Sequence, residues 1–302
     1  HTKYLFYRSR DAHISPALRS AWTYGWEVLN AWVARAYCHH LIKLSDAVQD
    51  FSNAVTCNVH GVRESYRKIG LDFAKRAGPA RFKKGAYYIG KVLWSKGYRE
   101  LVDKMKKFKE TTGINLPVDC YGAGPDLDEI KAEVARLGLD FRFMGAIDHA
   151  DPSLHEYKIL INPSLSDVVC TTSAEALAMG KFLLCPTHPS NEFFTAFPNT
   201  LTYDDANDAD FVKQLQALID TDPARMTDDV SYKLSWESAT ERFYDASAAG
   251  REEQAAYDKW LAHMHGVAAA GLKKTFGIEE QLALTPHDSQ KQSAAELRKN
   301  LK

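Results

Sequence analysis

The stretch INPSLSDVVCTTSAEALAMGKFLLCP (161–186) decides how the chain is read. KILINPS (158–164) reads as a strand, 171–180 as a helix, and KFLLCP (181–186) as a second strand. Two short apolar runs joined through one short helix make a parallel crossover unit, whose strands are buried on both faces and therefore continuously apolar.

The same alternation extends upstream. AYYIGKV (86–92) reads as a strand and SKGYRELVDKMKKFKETTG (95–113) as a helix, with Tyr98, Leu101, Val102, Met105 and Phe108 recurring on one face. LPVDCYG (116–122) is a strand that runs into the turn Gly122-Ala123-Gly124. PDLDEIKAEVARLG (125–138) has Pro at its start, carboxylates in its first turn and Gly at its end, the punctuation of a helix. FRFMG (141–145) is a further strand. The fold class is α/β, with a doubly wound parallel sheet that binds its ligand at the carboxyl ends of the strands.

The flanks read differently. Residues 17–37 look helical and aromatic, and Trp22, Trp26 and Trp32 suit a helix face packed in a core better than a lipid-facing patch. Residues 41–62 suggest strand, short helix and strand. Glycines at 61, 70 and 78 with Pro79 mark a linker. The expected organisation is an end of one domain (1–62), a linker (63–80), a nucleotide-sugar domain (81–245), and a C-terminal helix with a frayed or disordered tail (246–302). After Thr200 the pattern reads as helical, over 207–221, 224–233, 235–247 and 252–266.

Composition narrows the class. The 302 residues are 45% hydrophobic and 25% charged, with a formal net charge of -1, so no strong field draws nucleic acid or anionic lipid. No apolar run approaches the roughly 20 residues that span a bilayer. Five scattered cysteines read as buried reduced thiols, not a disulfide or zinc framework. The chain opens on His1 inside what reads as a continuing segment, as a piece of a longer protein would.

The chemistry concentrates in 162–181. Asp167 falls in the loop after a strand and Glu175 in the first turn of the next helix, with seven residues between them. Backbone N–H groups at the start of that helix, through Thr171, Thr172 and Ser173, can hold a diphosphate, each charge–dipole contact contributing about 0.3–1 kcal/mol. A carboxylate repels phosphate, so Glu175 is suited to ribose hydroxyls and Asp167 to sugar hydroxyls. Taken singly, each acid reads as a dipole complement or a loop cap; the whole string carries the site. Lys91 and Lys96 flank the end of one strand and the start of the next helix, where cations can stabilise a diphosphate leaving group. Among 38 basic residues neither lysine stands out alone. Gly122 and Gly124 resemble the start of a dinucleotide fingerprint, but Asp126 and Asp128 put negative charge where a pyrophosphate would bind, which disfavours a nicotinamide-dependent dehydrogenase. Asp126-Leu127-Asp128 mimics a metal-binding D-x-D, yet acids are expected in a helix first turn. His149 and His155 do not read as ligands either, so no metal is expected.

CNVHGVRESYRKIG (57–70), YYIGKVLWSKGYREL (87–101), DCYGAGPDLDEIK (119–131), INPSLSDVVCTTSAEALAMGK (161–181) and HPSNEFFTAFPNTLTYDD (188–205) together resemble the plastid digalactosyldiacylglycerol synthases of glycosyltransferase family four. HTKY at the start and WVARAYCHHLIKLSDAVQD (32–50) resemble them too. The resemblance covers about residues 1 to 245 and implies a GT-B fold, with residues 1–62 ending a second Rossmann-like domain. In the wider family two glutamates stand seven residues apart; the second aligns with Glu175, at the ribose. Asp167 replaces the first, as in the galactolipid synthases, and would contact galactose. Lys91 and Lys96 align with the family's diphosphate-binding Arg and Lys, and His1 with a histidine that faces the donor sugar. His60 stands where much of the family has Asn. Gly90, Gly122 and Gly124 join the implied donor-binding set.

The implied reaction is retaining transfer of galactose from UDP-galactose to monogalactosyldiacylglycerol, giving an α(1→6) linkage without a bound metal or other cofactor. The implied setting is peripheral, on a plastid envelope membrane. Two other readings stay open: a family-four transferase with a soluble sugar acceptor, and a non-catalytic UDP-sugar-binding fragment.

Overall fold

A computed structural model describes residues 16–38, 40–48, 51, 54–75 and 82–248, together with positions 255–256, 258–260, 262–264, 266–267 and 270. His1, the linker glycine at 78 and the expected tail beyond 270 lie outside the described residues.

The chain divides into two compact units. One comprises residues 1–42, 49–55 and 244–302. Its described part holds helix α1 (Pro16–Tyr37) and most of a two-stranded sheet, β1 (Leu41–Lys43) with β2 (Ala54–Thr56). The packed-face reading of α1 does not hold, since Trp22, Trp26 and Trp32 are 68%, 39% and 45% exposed. No helix is assigned over 44–48, where a short one was expected; the chain turns there instead.

The second unit, residues 43–48 and 56–243, contains the stretch expected to be a nucleotide-sugar domain. Its six strands are β3 (Lys84–Ile89), β4 (Val118–Tyr121), β5 (Phe141–Gly145), β6 (Tyr157–Ile161), β7 (Phe182–Pro186) and β8 (Thr200–Tyr203). They lie in the order β5-β4-β3-β6-β7-β8, and every neighbouring pair is parallel. The register sets Tyr87 beside Asp119 on one side and beside Leu160 on the other. Chain order therefore reverses between β3 and β6, and it is at such a switch point, outside the carboxyl ends of the strands, that sheets of this kind form their ligand crevice.

Helices cover both faces. On one lie α3 (Tyr98–Thr112), α4 (Leu127–Leu137) and α6 (Asp208–Asp220). The expected face of α3 is realised, with Tyr98, Leu101, Val102, Met105 and Phe108 all at most 2% exposed. Burying those five side chains contributes roughly 10 kcal/mol before chain entropy is counted. Lys104, also buried, ties α3 to the start of α6 through Asp208, Nζ to Oδ1 2.9 Å. On the other face α2 (Glu64–Lys75) packs on α5 (Thr171–Ala178). The chain then closes with α7 (Asp228–Lys233) and α8 (Trp236–Ser247).

Two sequence expectations are corrected. The segment 63–80 is not a featureless linker: α2 fills most of it, with Tyr66, Gly70 and Phe73 buried. Gly70 breaks no helix; it lets α2 cross α5 so closely that a Cβ there would meet the Ala178 carbonyl oxygen at 2.2 Å. The second miss is β8, a strand at 200–203 ahead of the first expected helix, where no strand was expected. An edge strand of four residues with only Tyr203 buried shows little apolar pattern.

Candidate active site

The crevice is bordered by two loops. The first follows β3 and forms a single 3-10 turn at Trp94–Lys96 before α3 begins at Tyr98. The Tyr88 hydroxyl donates to Lys96 O at 2.8 Å, and the Trp94 N–H donates to Asp126 Oδ2 at 2.9 Å, so the turn is held from both sides. Asp126 is thereby a loop anchor. The second loop follows β6 through Pro163 to Val169. Gly97, at φ 95°, lets the two loops meet: a Cβ there would lie 2.9 Å from Ser164 N. Ser166 Oγ then donates to Ser95 O at 2.8 Å.

This lacing brings Lys96 Nζ to 2.8 Å from Asp167 Oδ1, with Asp167 only 18% exposed. Asp167 is thus the partner of a cation, not a local loop cap. Lys91, expected beside Lys96, lies exposed on the same loop. The bland reading of Glu175 fails as well. Cys170 is extended and caps α5, which starts at Thr171, so Glu175 sits in the second turn and complements no first-turn dipole. Burial holds the Cys170 thiol above its ordinary range, leaving it neutral at the helix head.

Thr171 is exposed and Thr172 half-buried. Ser173 is buried, and its hydroxyl accepts from Asn162 Nδ2 at 3.1 Å. Gly122 and Gly124 are explained by packing. At Gly122, with φ 141°, a Cβ would lie 1.8 Å from Gly90 O, and at Gly124 2.1 Å from Val92 O. Gly90 N donates to Tyr121 O and Gly122 N to Gly145 O, so the glycine loops at the ends of β3, β4 and β5 interlock.

Three residues to which the sequence reading gave no role in the site surround Glu175. His149, from the loop after β5, has Nδ1 3.0 Å from Glu175 Oε2. Its pKa is raised by that hydrogen bond, against an opposing effect of burial. His60 is held below its ordinary value by burial, partly offset by Glu175. Its backbone N–H donates to Asn58 Oδ1 at 2.9 Å, and its ring meets Trp236 edge-on. Lys181, at the start of β7, is fully buried; its ammonium donates to Leu154 O and lies 4.6 Å from the centre of the Tyr87 ring. Burial lowers its pKa to about 7, although Glu175 acts the other way.

Lys181 makes a test of this electrostatics. A lysine whose folded pKa lies below its unfolded value leaves the unfolded chain holding more protons between the two, so stability rises with pH from about 7 upward. Chemical denaturation at pH 7 and again near pH 9.5 should show that rise. Lys181→Met should flatten it; an equal rise in both proteins would show that Lys181 keeps its proton when folded.

Among the described residues no group of three or more His, Cys, Asp or Glu is placed to hold a metal ion, and no helix is long and apolar enough to cross a membrane.

Residues 83–221 match the family model described as glycosyl transferases group 1. Curated relatives include "Digalactosyldiacylglycerol synthase 1, chloroplastic" of Glycine max, 46% identical over 83% of this chain and 31% of its own length. "Digalactosyldiacylglycerol synthase 2, chloroplastic" of Arabidopsis thaliana is 42% identical over 94% of this chain and 58% of its own. The chain thus spans between about a third and somewhat over half of these relatives. Among solved structures, the lipopolysaccharide outer core galactosyltransferase WaaB superposes with a TM-score of 0.54 at 17% identity, covering 70% of this chain and 62% of that one. Anabaena HepE, solved with UDP and glucose, gives 0.52 at 12% identity, with 72% and 65% covered. At such identities these two structures establish the fold alone, that of GT-B glycosyltransferases.

Proposed function

The chain carries a group 1 glycosyl transferase domain and is a relative of the chloroplast digalactosyldiacylglycerol synthases, and on that premise we propose that it is the donor-binding part of a UDP-galactose-dependent galactosyltransferase acting on monogalactosyldiacylglycerol. The observation that carries this reading is the Lys96–Asp167 pair in the loops after β3 and β6, where strand order reverses, with Glu175 on the helix that follows the second of those loops. Glu175 accepts from the ribose hydroxyls, Asp167 from those of galactose. Lys91, Lys96 and the N–H groups of Thr171, Thr172 and Ser173 receive the diphosphate. Gly90 gives the donor close approach to the loop after β3.

Transfer proceeds with retention. The acceptor's primary hydroxyl oxygen bonds to galactose C1 on the face from which UDP departs, the C1–O(phosphate) bond breaks, and the hydroxyl proton passes to the departing diphosphate. Lys91 and Lys96 offset the charge that builds on that leaving group. No metal takes part. The product carries an α(1→6) linkage, and the protein works in the chloroplast, peripherally on an envelope membrane.

The donor half of this reading is tested by UDP binding. Lys91→Ala and Lys96→Ala are each expected to weaken UDP several-fold, about 1 kcal/mol or more. Raising salt from about 0.1 to 1 M shortens the Debye length from roughly 10 to 3 Å, so wild-type affinity should fall with salt and the double variant's should fall less. Parallel salt curves would remove both lysines from the diphosphate.

A further inference from the structure

Glu175 presents two carboxylate oxygens, and one of them is already engaged. His149 Nδ1 lies 3.0 Å from Oε2, while Glu175 as a whole remains 20% exposed and His149 40%. A carboxylate offers about four lone-pair directions, so one donor on Oε2 leaves room for two ribose hydroxyls but fixes which way the group faces. His149 reaches it from a separate element, the loop between β5 and β6, which carries no other group assigned to the donor. We infer that His149 is a positioning residue for nucleotide recognition: it holds the Glu175 carboxylate in the orientation that receives the ribose diol. This rests on Glu175 being the ribose acceptor.

The hydrogen bond also links donor binding to pH. Only an Nδ1 that carries a proton can donate to Glu175, and the imidazolium always carries one, whereas the neutral ring shares its single proton between two nitrogens. The raised pKa of His149 agrees with this, since the bond favours the protonated form. A bond that raises the pKa in this way is fully made at low pH and weakens as pH climbs through that value. The other titratable groups around the pair are Asp148 beside His149, His60 ahead of α2, Tyr66 on α2, Tyr87 on β3 and Lys181 after α5. The tyrosines are held neutral, their pKa values raised chiefly by burial. His60 and Lys181, both with lowered pKa values, titrate on their own account, so the comparison must be made between variants at position 149 alone.

Isothermal titration of the chain with UDP and with 2′,3′-dideoxy-UDP, at pH 6 and pH 8.5, makes that comparison. His149→Ala should weaken UDP about tenfold and leave the dideoxy nucleotide nearly unchanged. His149→Asn, whose amide nitrogen falls near the position of Nδ1 and donates at any pH, should restore most of the loss. The ratio of wild-type to His149→Asn affinity should fall as pH rises, while the ionisation of UDP itself cancels in the ratio. Wild type that prefers UDP over dideoxy-UDP, paired with a His149→Ala variant that binds both as wild type does, would overturn the role of His149. Wild type that binds both nucleotides equally would overturn the Glu175–ribose reading beneath it. Loss of affinity for both nucleotides in His149→Ala, not restored by Asn, would mark His149 as a support of the loop and also overturn the inference.

Discussion

Glu175→Gln is expected to weaken UDP binding by roughly ten- to a hundredfold, the equivalent of about 1.5 to 3 kcal/mol for a charged acceptor lost from a half-buried hydrogen-bonded site. The substitution keeps the size of the side chain, so the α5 packing on α2 stays intact. It removes the charge that draws the His149 N–H and, in the proposed complex, two ribose hydroxyls. Asp126→Asn is the matched control: it still offers an oxygen to the Trp94 N–H and faces no part of the proposed nucleotide. Calorimetry on both should separate them by at least tenfold. Equal affinities for Glu175→Gln and wild type would take the ribose away from Glu175.

Gly122→Ala is expected to cost about 3 kcal/mol or more in unfolding free energy. Two effects coincide there. The backbone sits at φ 141°, which side-chain-bearing residues seldom adopt, and the new Cβ would stand 1.8 Å from Gly90 O. That oxygen belongs to backbone in the interlocked loops and has nowhere to retreat. Gly113 supplies the comparison, because it has φ 72° with nothing within 4 Å of a Cβ. Gly113→Ala should therefore cost only the roughly 1–2 kcal/mol of the left-handed conformation. Denaturation curves giving equal losses at the two positions would show that the glycine loops do not press on one another. A fold that survives Gly122→Ala with its loops parted should also lose affinity for UDP.

These two residues mark where sequence reading succeeded and where it stopped. Five of the six parallel strands were legible because each is a short apolar run between helices with clear faces, as in α3. Asp167, Glu175 and Lys96 were legible as candidates because they fall in loops and helices beside strand ends. Their pairing was not. That Lys96 meets Asp167 depends on Gly97 admitting Ser164, a contact between loops far apart in sequence. Glu175 was placed one turn too early although the helix start at Thr171 was read correctly: as the fifth residue of α5 it falls beyond the first turn. His149 was weighed only as a metal ligand and set aside, since a histidine in a loop has no periodicity to betray its partner. Lys181 drew no reading of its own, although it is fully buried, because burial of a lone cation is a tertiary fact. Gly122 and Gly124 were read towards a ligand, and their first duty proves to be clearance for the neighbouring backbone.

The central claim is that this site belongs to a galactosyltransferase that extends a galactolipid. Its most direct test incubates the protein in its full length with UDP-galactose and monogalactosyldiacylglycerol micelles, then identifies the lipid product and its anomeric linkage. The account predicts digalactosyldiacylglycerol with a new α(1→6) bond, abolished or sharply reduced in Glu175→Gln. UDP bound or released with no lipid product, and galactose passed instead to a soluble sugar, would contradict it.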